Sequence, residues 1–93
     1  MPQVIYALAA IRDLQRLQEF LAPLNPAAAS RAAETIMKSV RVLGLQAQIG
    51  RPIANMPNEY REWLIGFGDT GYIARYHFDG ETVTILAVRH QKE

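Results

Sequence analysis

Three arginines, Arg61, Arg75 and Arg89, fall one on each of three consecutive strand-like runs in the last third of the chain, and His90 follows directly on the last of them. Fixed cationic donors can stabilise charge developing on a phosphate oxygen. A histidine beside them titrates near neutrality and can move a proton. Converged on one sheet face, such a set could cut a phosphodiester or dock an anionic partner. Plainer readings stand beside each residue. The arginines could be solvated strand residues, His90 could cap the last strand at a sheet edge, and His77 could be a half-exposed cross-strand partner. Arg51, in Gly50-Arg51-Pro52, is a loop residue that bonds carbonyls or a carboxylate, or else contacts a ligand. Trp63 is the one tryptophan and shares strand parity with Arg61, Ile65 and Phe67; it serves as core, or as a partner anchor of the kind enriched at interfaces. Glu59 and Glu62 do not read as a carboxylate pair. Two isolated histidines and no cysteine offer no metal cluster, and no glycine loop cradles a phosphate. No metal or cofactor is expected.

The chain as a whole bounds these options. Ninety-three residues, 49% hydrophobic and 20% charged, make a single domain over residues 1–93 with one core. The absence of cysteine fits a reducing cytoplasm, and a cytoplasmic protein is expected. The apolar opening from Val4 to Ile11 has no basic stretch before it and is broken by Arg12-Asp13, so neither a signal peptide nor a membrane span is expected. A net charge of +1 disfavours a large nucleic-acid footprint, because phosphate contacts supply most of that affinity.

The elements that would position the arginines can be read in order. Gln3 to Ala7 suits a short strand. Ile11, Leu14, Leu17, Leu21 and Leu24 recur at three or four, predicting a helix from about Ala9 to Ala22 that Pro23 ends. Asn25-Pro26 predicts an N-cap followed by a first-turn proline, opening a second helix to about Leu43 with Gly44 just beyond. Its buried side is expected to comprise Ala29, Ala32, Ala33, Ile36, Val40 and Leu43. The short Pro23–Asn25 connection makes the two helices an antiparallel hairpin. Leu45 to Asn58 reads as irregular. Three strands then follow: Tyr60 to the Gly68–Gly71 turn, Tyr72 to Phe78, and Thr82 to Val88, with Asp79-Gly80 expected in a two-residue type I′ hairpin. Tyr72, Tyr76 and Phe78 should face the helices. The fold class is therefore α+β, in the order β-α-α-β-β-β. The helical hairpin packs on one face of a small, mostly antiparallel sheet and leaves the other face bare.

That order, together with Gly50-Arg51-Pro52, Tyr60-Arg61-Glu62-Trp63, Gly71-Tyr72-x-x-x-Tyr76 and Ile85-Leu86-Ala87-Val88-Arg89-His90, resembles the RelE/ParE superfamily of bacterial type II toxins. The resemblance covers nearly the whole chain. It implies two antiparallel helices on a small sheet, and one of two activities. RelE-like members cleave messenger RNA on the ribosome with basic and titratable residues on the open face; ParE-like members are not nucleases and poison DNA gyrase. RelE-like strands typically read Gly-Tyr-Arg-Leu-Val-Tyr, whereas this chain reads Gly71-Tyr72-Ile73-Ala74-Arg75-Tyr76 and so places Ile73 where the reactive arginine would be. Gln91, Lys92 and Glu93 close the chain where ribonuclease members tend to carry a His or Tyr.

The expected function is accordingly that of a ParE-like, non-enzymatic toxin that inhibits DNA gyrase. The resemblance also implies a cognate antitoxin whose C-terminal segment folds across the helices and the open sheet, in a toxin–antitoxin hetero-oligomer. No membrane partner and no direct nucleic-acid partner are expected. Arg61, Arg75, Arg89 and His90 are the expected partner contacts on the open face, with Arg51 and Trp63 as loop and structural contacts. The alternatives are a ribosome-dependent ribonuclease and a degenerate toxin that only binds its antitoxin.

Overall fold

A computed structural model of the chain describes residues 2–92. Its elements are β1 (Gln3–Tyr6), α1 (Leu8–Leu21), α2 (Pro26–Val42), β2 (Arg51–Pro52), β3 (Tyr60–Phe67), β4 (Thr70–Phe78) and β5 (Thr82–His90). Five strands form one mixed sheet in the order β1-β5-β4-β3-β2. β1 runs parallel to β5, and the other pairings are antiparallel.

Both helices lie on one face of this sheet, as the α+β expectation required. Ile36, Val40 and Leu43 from α2 and its C-terminal end meet Ile65, Tyr72, Ala74, Tyr76, Val83, Ile85 and Val88 from the strands, all buried. α2 is apolar along one side for the reason its spacing indicated, and it begins as expected: the Asn25 side chain accepts a hydrogen bond from the Ala28 N–H at 3.1 Å, with Pro26 in the first helical turn. Its end differs in detail. Gly44 does not adopt a left-handed conformation, and the helix tightens into i→i+3 bonds instead. A Cβ on Gly44 would lie 3.3 Å from a Val4 methyl, so a small residue is needed where α2 passes β1. α1 is a weaker lid than its stripe suggested. Leu17 is buried and Leu14 and Leu21 are partly so, but Ile11 and Leu24 point largely to water.

Three further expectations are corrected. The irregular stretch after α2 holds an additional strand, the two-residue β2, whose Arg51 and Pro52 pair with Glu62 and Arg61. Proline is tolerated there because β2 is an edge. The β4–β5 connection is not a type I′ turn. Gly80 has φ 101° but Asp79 is not left-handed, and the Asp79 carboxylate accepts from the N–H groups of Glu81 (2.9 Å) and Thr82 (2.8 Å). The side chain has taken over bonds that a backbone carbonyl would otherwise make. Lastly, β5 carries a bulge. Arg75 pairs with Ala87 but Tyr76 pairs with Ile85, so Leu86 is an extra residue opposite no partner. Upstream of it the odd-numbered Val83 and Ile85 are buried; downstream the even-numbered Val88 is. One inserted residue reverses which side of the sheet every later side chain occupies.

Beyond the bulge β5 has outrun β1, which pairs only with Thr82–Ile85. Asp13 of α1 covers part of that edge, its carboxylate accepting the Val88 N–H at 3.0 Å. An otherwise unpaired donor is thereby satisfied, and that part of the edge is covered.

Candidate functional site

The bare face of the sheet carries a row of charge. Glu62 on β3 lies opposite Arg51 on β2 and Arg75 on β4. Its two carboxylate oxygens reach one guanidinium each: Oε1 to Arg51 Nε at 3.4 Å, and Oε2 to Arg75 Nη2 at 3.3 Å. The glutamate is the inner member, with its side chain 14% exposed against 58% for Arg51 and 36% for Arg75. Arg75 Nε is buried and makes no hydrogen bond to any described residue, so Glu62 is the group that holds this guanidinium in place. Arg89 lies opposite Ile73 in the next row and is exposed. Leu64 and Ile73 supply an apolar strip beside it, and Tyr60 meets His77 edge-on at 4.9 Å on the far side of the row.

Strand parity divides the expected contacts between the two faces. Arg75 and Arg89 do lie on the open face, and Arg51 joins them through β2. Arg61 does not. It pairs with the buried Tyr76, turns toward the helix side, and donates from Nη1 to the carbonyls of Gly50 (2.9 Å) and Gln48 (3.3 Å). Its role is therefore the loop-bonding one that had been weighed for Arg51, while Arg51 bonds a carboxylate. His90 is also on the helix side, because the Leu86 bulge lies between it and the rest of the sheet's phase. It stands opposite Tyr72, edge-on at 5.4 Å. Its Nδ1 accepts the Lys92 N–H at 3.2 Å, which leaves Nε2 to carry the proton of the neutral ring and donate to Thr70 Oγ1 at 3.3 Å. Trp63 packs against the core and donates its indole N–H to the Ser39 carbonyl at 3.2 Å, tying β3 to α2.

Glu62 does not stand out in the sequence, because its neighbour Glu59 makes no partner for it. The usable signal was its even-numbered place on β3, opposite in parity to Trp63 and Ile65, which assigns it to the exposed side. A second feature that had no sequence signature is a cleft of about 750 Å³ at the end of the covered face. Leu17, Phe20 and Leu21 of α1 form one wall and Phe67 and Tyr72 the other, with His90, Thr70, Arg16 and Lys92 at the rim. Burial raises the Tyr72 pKa above its usual 10.0. Among the described residues no three His, Asp or Glu side chains converge on a point where a metal could be held. No helix among the described residues is long and apolar enough to cross a membrane.

As chemistry, this arrangement sorts the charged and titratable side chains between the two faces. Arg75 and Arg89 are on one side of the sheet and His90 on the other. Beside Arg75 on its own face lie Glu62, with which it pairs, and, one row away, Arg89 on one side and His77 and Tyr60 on the other.

Comparison with known proteins agrees with this architecture. The profile described as "ParE toxin of type II toxin-antitoxin system, parDE" matches residues 4–93. A protein named toxin RelE3 from Caulobacter vibrioides is 32% identical over 82 residues, covering 88% of this chain and 86% of that protein. Among solved structures, a chain of the chromosomal ParDE system from P. aeruginosa superposes with a TM-score of 0.76 at 20% identity, covering 97% of this chain and 96% of that one. YafQ from E. coli superposes with a TM-score of 0.58 at 12% identity over 99% of this chain and 96% of its own, a likeness of fold. The two-helix cover, the mixed five-strand sheet and the profile match over nearly its whole length place this chain in the ParE toxin family of type II toxin–antitoxin systems, within the RelE/ParE superfamily.

Proposed function

We propose that this toxin acts as a non-nucleolytic inhibitor of DNA gyrase, docking through its open sheet face, and that a cognate antitoxin neutralises it in the cytoplasm. The observation that carries the reading is the division of Arg75 and Arg89 from His90 by the bulge in β5, together with the occupation of Arg75 by Glu62. Cleaving a phosphodiester calls for cations and a proton carrier around the same atoms; here the cations face one way and this histidine the other. What remains on the open face is an apolar strip edged by guanidinium groups, which suits recognition of a protein surface. The antitoxin segment has apolar side chains to cover on the helix side, where Leu8, Ile11, Phe20, Leu24 and Met37 are exposed. Phe20 adjoins the cleft walled by Leu17, Leu21, Phe67 and Tyr72, so this part of the apolar surface is contiguous, as a surface that another chain covers would be.

The test is a supercoiling assay with purified gyrase run beside a purified translation reaction. Supercoiling should be inhibited and cleaved DNA should accumulate, with transcripts left intact. Transcripts cut on the ribosome would overturn the reading. A ribosome-dependent ribonuclease is the second reading, and one placement favours it: Tyr60, His77 and Arg75 share the open face. It requires cleavage that disappears in His77→Ala and Arg75→Ala.

A further inference from the structure

We infer that Glu62 is a specificity-determining residue that keeps the arginine row of the open face from binding nucleic-acid phosphates. The inference rests on reading that face as a protein-docking surface, and it goes beyond that reading by naming what excludes the commoner ligand of exposed arginines. Guanidinium groups pair readily with phosphate oxygens, often through two parallel hydrogen bonds. A polyanion gains affinity roughly with each cation it engages. β2, β4 and β5 bring Arg51, Arg75 and Arg89 to the same side of the sheet, with Arg51 and Arg75 two strands, or about 10 Å, apart. Unopposed, that would be a cationic track across the sheet.

Of the residues that β2 to β5 present on this side, Glu62 is the one carboxylate, and it sits between the two arginines with an oxygen on each. It acts in two ways. It occupies donors that a phosphate would need, and its charge repels an approaching phosphate at short range. It is also the least exposed of the three side chains, so solvent and salt displace it less easily than they would a rim residue. Arg89, one row away, keeps its charge for a partner without making a track by itself. A protein partner is not excluded in the same way, because it can satisfy the apolar strip of Leu64 and Ile73 and engage Arg89 without displacing Glu62.

The experiment is fluorescence anisotropy of a short labelled oligouridine and a matching oligothymidine, titrated with the full chain and with Glu62→Gln at several salt concentrations. Glu62→Gln should bind both oligonucleotides at least tenfold more tightly than the parent at about 50 mM salt, and its log-affinity should fall more steeply with log salt by about 0.7 for each arginine released. Glu62→Asp, which keeps the charge but shortens the reach, should give a smaller gain and guards against misfolding of the amide variant. Adding Arg75→Gln to Glu62→Gln should return binding to the parent level. Equal binding by parent, Glu62→Gln and Glu62→Asp would overturn the inference, as would a gain that survives Arg75→Gln. Either result leaves the gyrase reading standing, which fails separately if the parent toxin cuts transcripts.

Discussion

The helix-covered face of the sheet has two ends, and they are finished in opposite ways. At the α2 end, the Tyr76 hydroxyl is buried under the loop that follows α2. It donates to the Ala47 carbonyl at 2.7 Å and accepts the Gly50 N–H at 3.0 Å, while Arg61 takes the Gln48 and Gly50 carbonyls. Every partner in this group is local to the chain, and the loop it fixes delivers Arg51 to Glu62. At the α1 end the same face opens into the cleft between Phe20 and Phe67, and Phe20 is 68% exposed. The contrast separates two uses of apolar surface in one small domain. Where the polar groups are all matched internally, the surface serves stability. Around Phe20 the large side chains line an open cleft and have no such internal partners.

This contrast can be broken or sharpened by substitution. The largest effect is expected at the sealed end, for Gly50→Ala. The added methyl would sit 2.5 Å from the Tyr76 hydroxyl oxygen and 2.8 Å from the Glu62 carbonyl, and the latter is backbone and cannot swing aside. A loss of about 3 kcal/mol in urea unfolding is expected; a change below half of that would show that the end is not tightly closed. Tyr76→Phe keeps the ring and strands the Ala47 carbonyl and the Gly50 N–H, for a loss of about 2 kcal/mol.

A pH titration sharpens the same point. Burial raises the pKa of Tyr76, against smaller opposing effects of the Gly50 N–H and Arg61, and burial likewise raises those of Tyr72 and Tyr6. Below the unfolded value near 10.0 these hydroxyls are neutral in both states, and stability is complete. As pH rises past that point the unfolded chain loses its protons first, so stability should fall through the higher folded values. Thermal melts between about pH 9 and 11 should show a steeper decline in the parent than in Tyr76→Phe. The smallest stability effect is expected at the open end, where Phe20→Ser should change unfolding by no more than about 0.5 kcal/mol. If the cleft is where the antitoxin seats, the same change should cost about 2 kcal/mol of that affinity, roughly thirtyfold, by calorimetry. A variant that lost stability without losing affinity would reverse the assignment of the two ends.

Much of the frame was legible in the sequence because it depends on local periodicity. The Asn25-Pro26 start of α2, the apolar side from Ala29 to Val40, and the burial of Tyr72 and Tyr76 follow from spacings of three, four and two. The expected site was less legible because it depended on register between strands. Arg61 had been grouped with Arg75 and Arg89, although its parity already tied it to Trp63 and Ile65, and that signal was sufficient to place it on the covered side. His90 had no such signal. Leu86 and Ala87 are both apolar, so alternation is silent at the one point where β5 changes phase, and only the pairing with β4 reveals it. β2 was hidden for a similar reason: two residues containing a proline carry no strand pattern, and their placement comes from contacts made far along the chain, by Glu62 and Arg61.

The extra residue at Leu86 carries a consequence for chain length. Because Ala87 already stands opposite Arg75, deleting Leu86 would straighten the strand and leave Arg89 turned outward and His90 inward. Exchanging those two would instead require β5 to keep every residue and slide one place along β4 beyond Ile85, so pairing, and not length, holds the imidazole away from the exposed guanidinium groups.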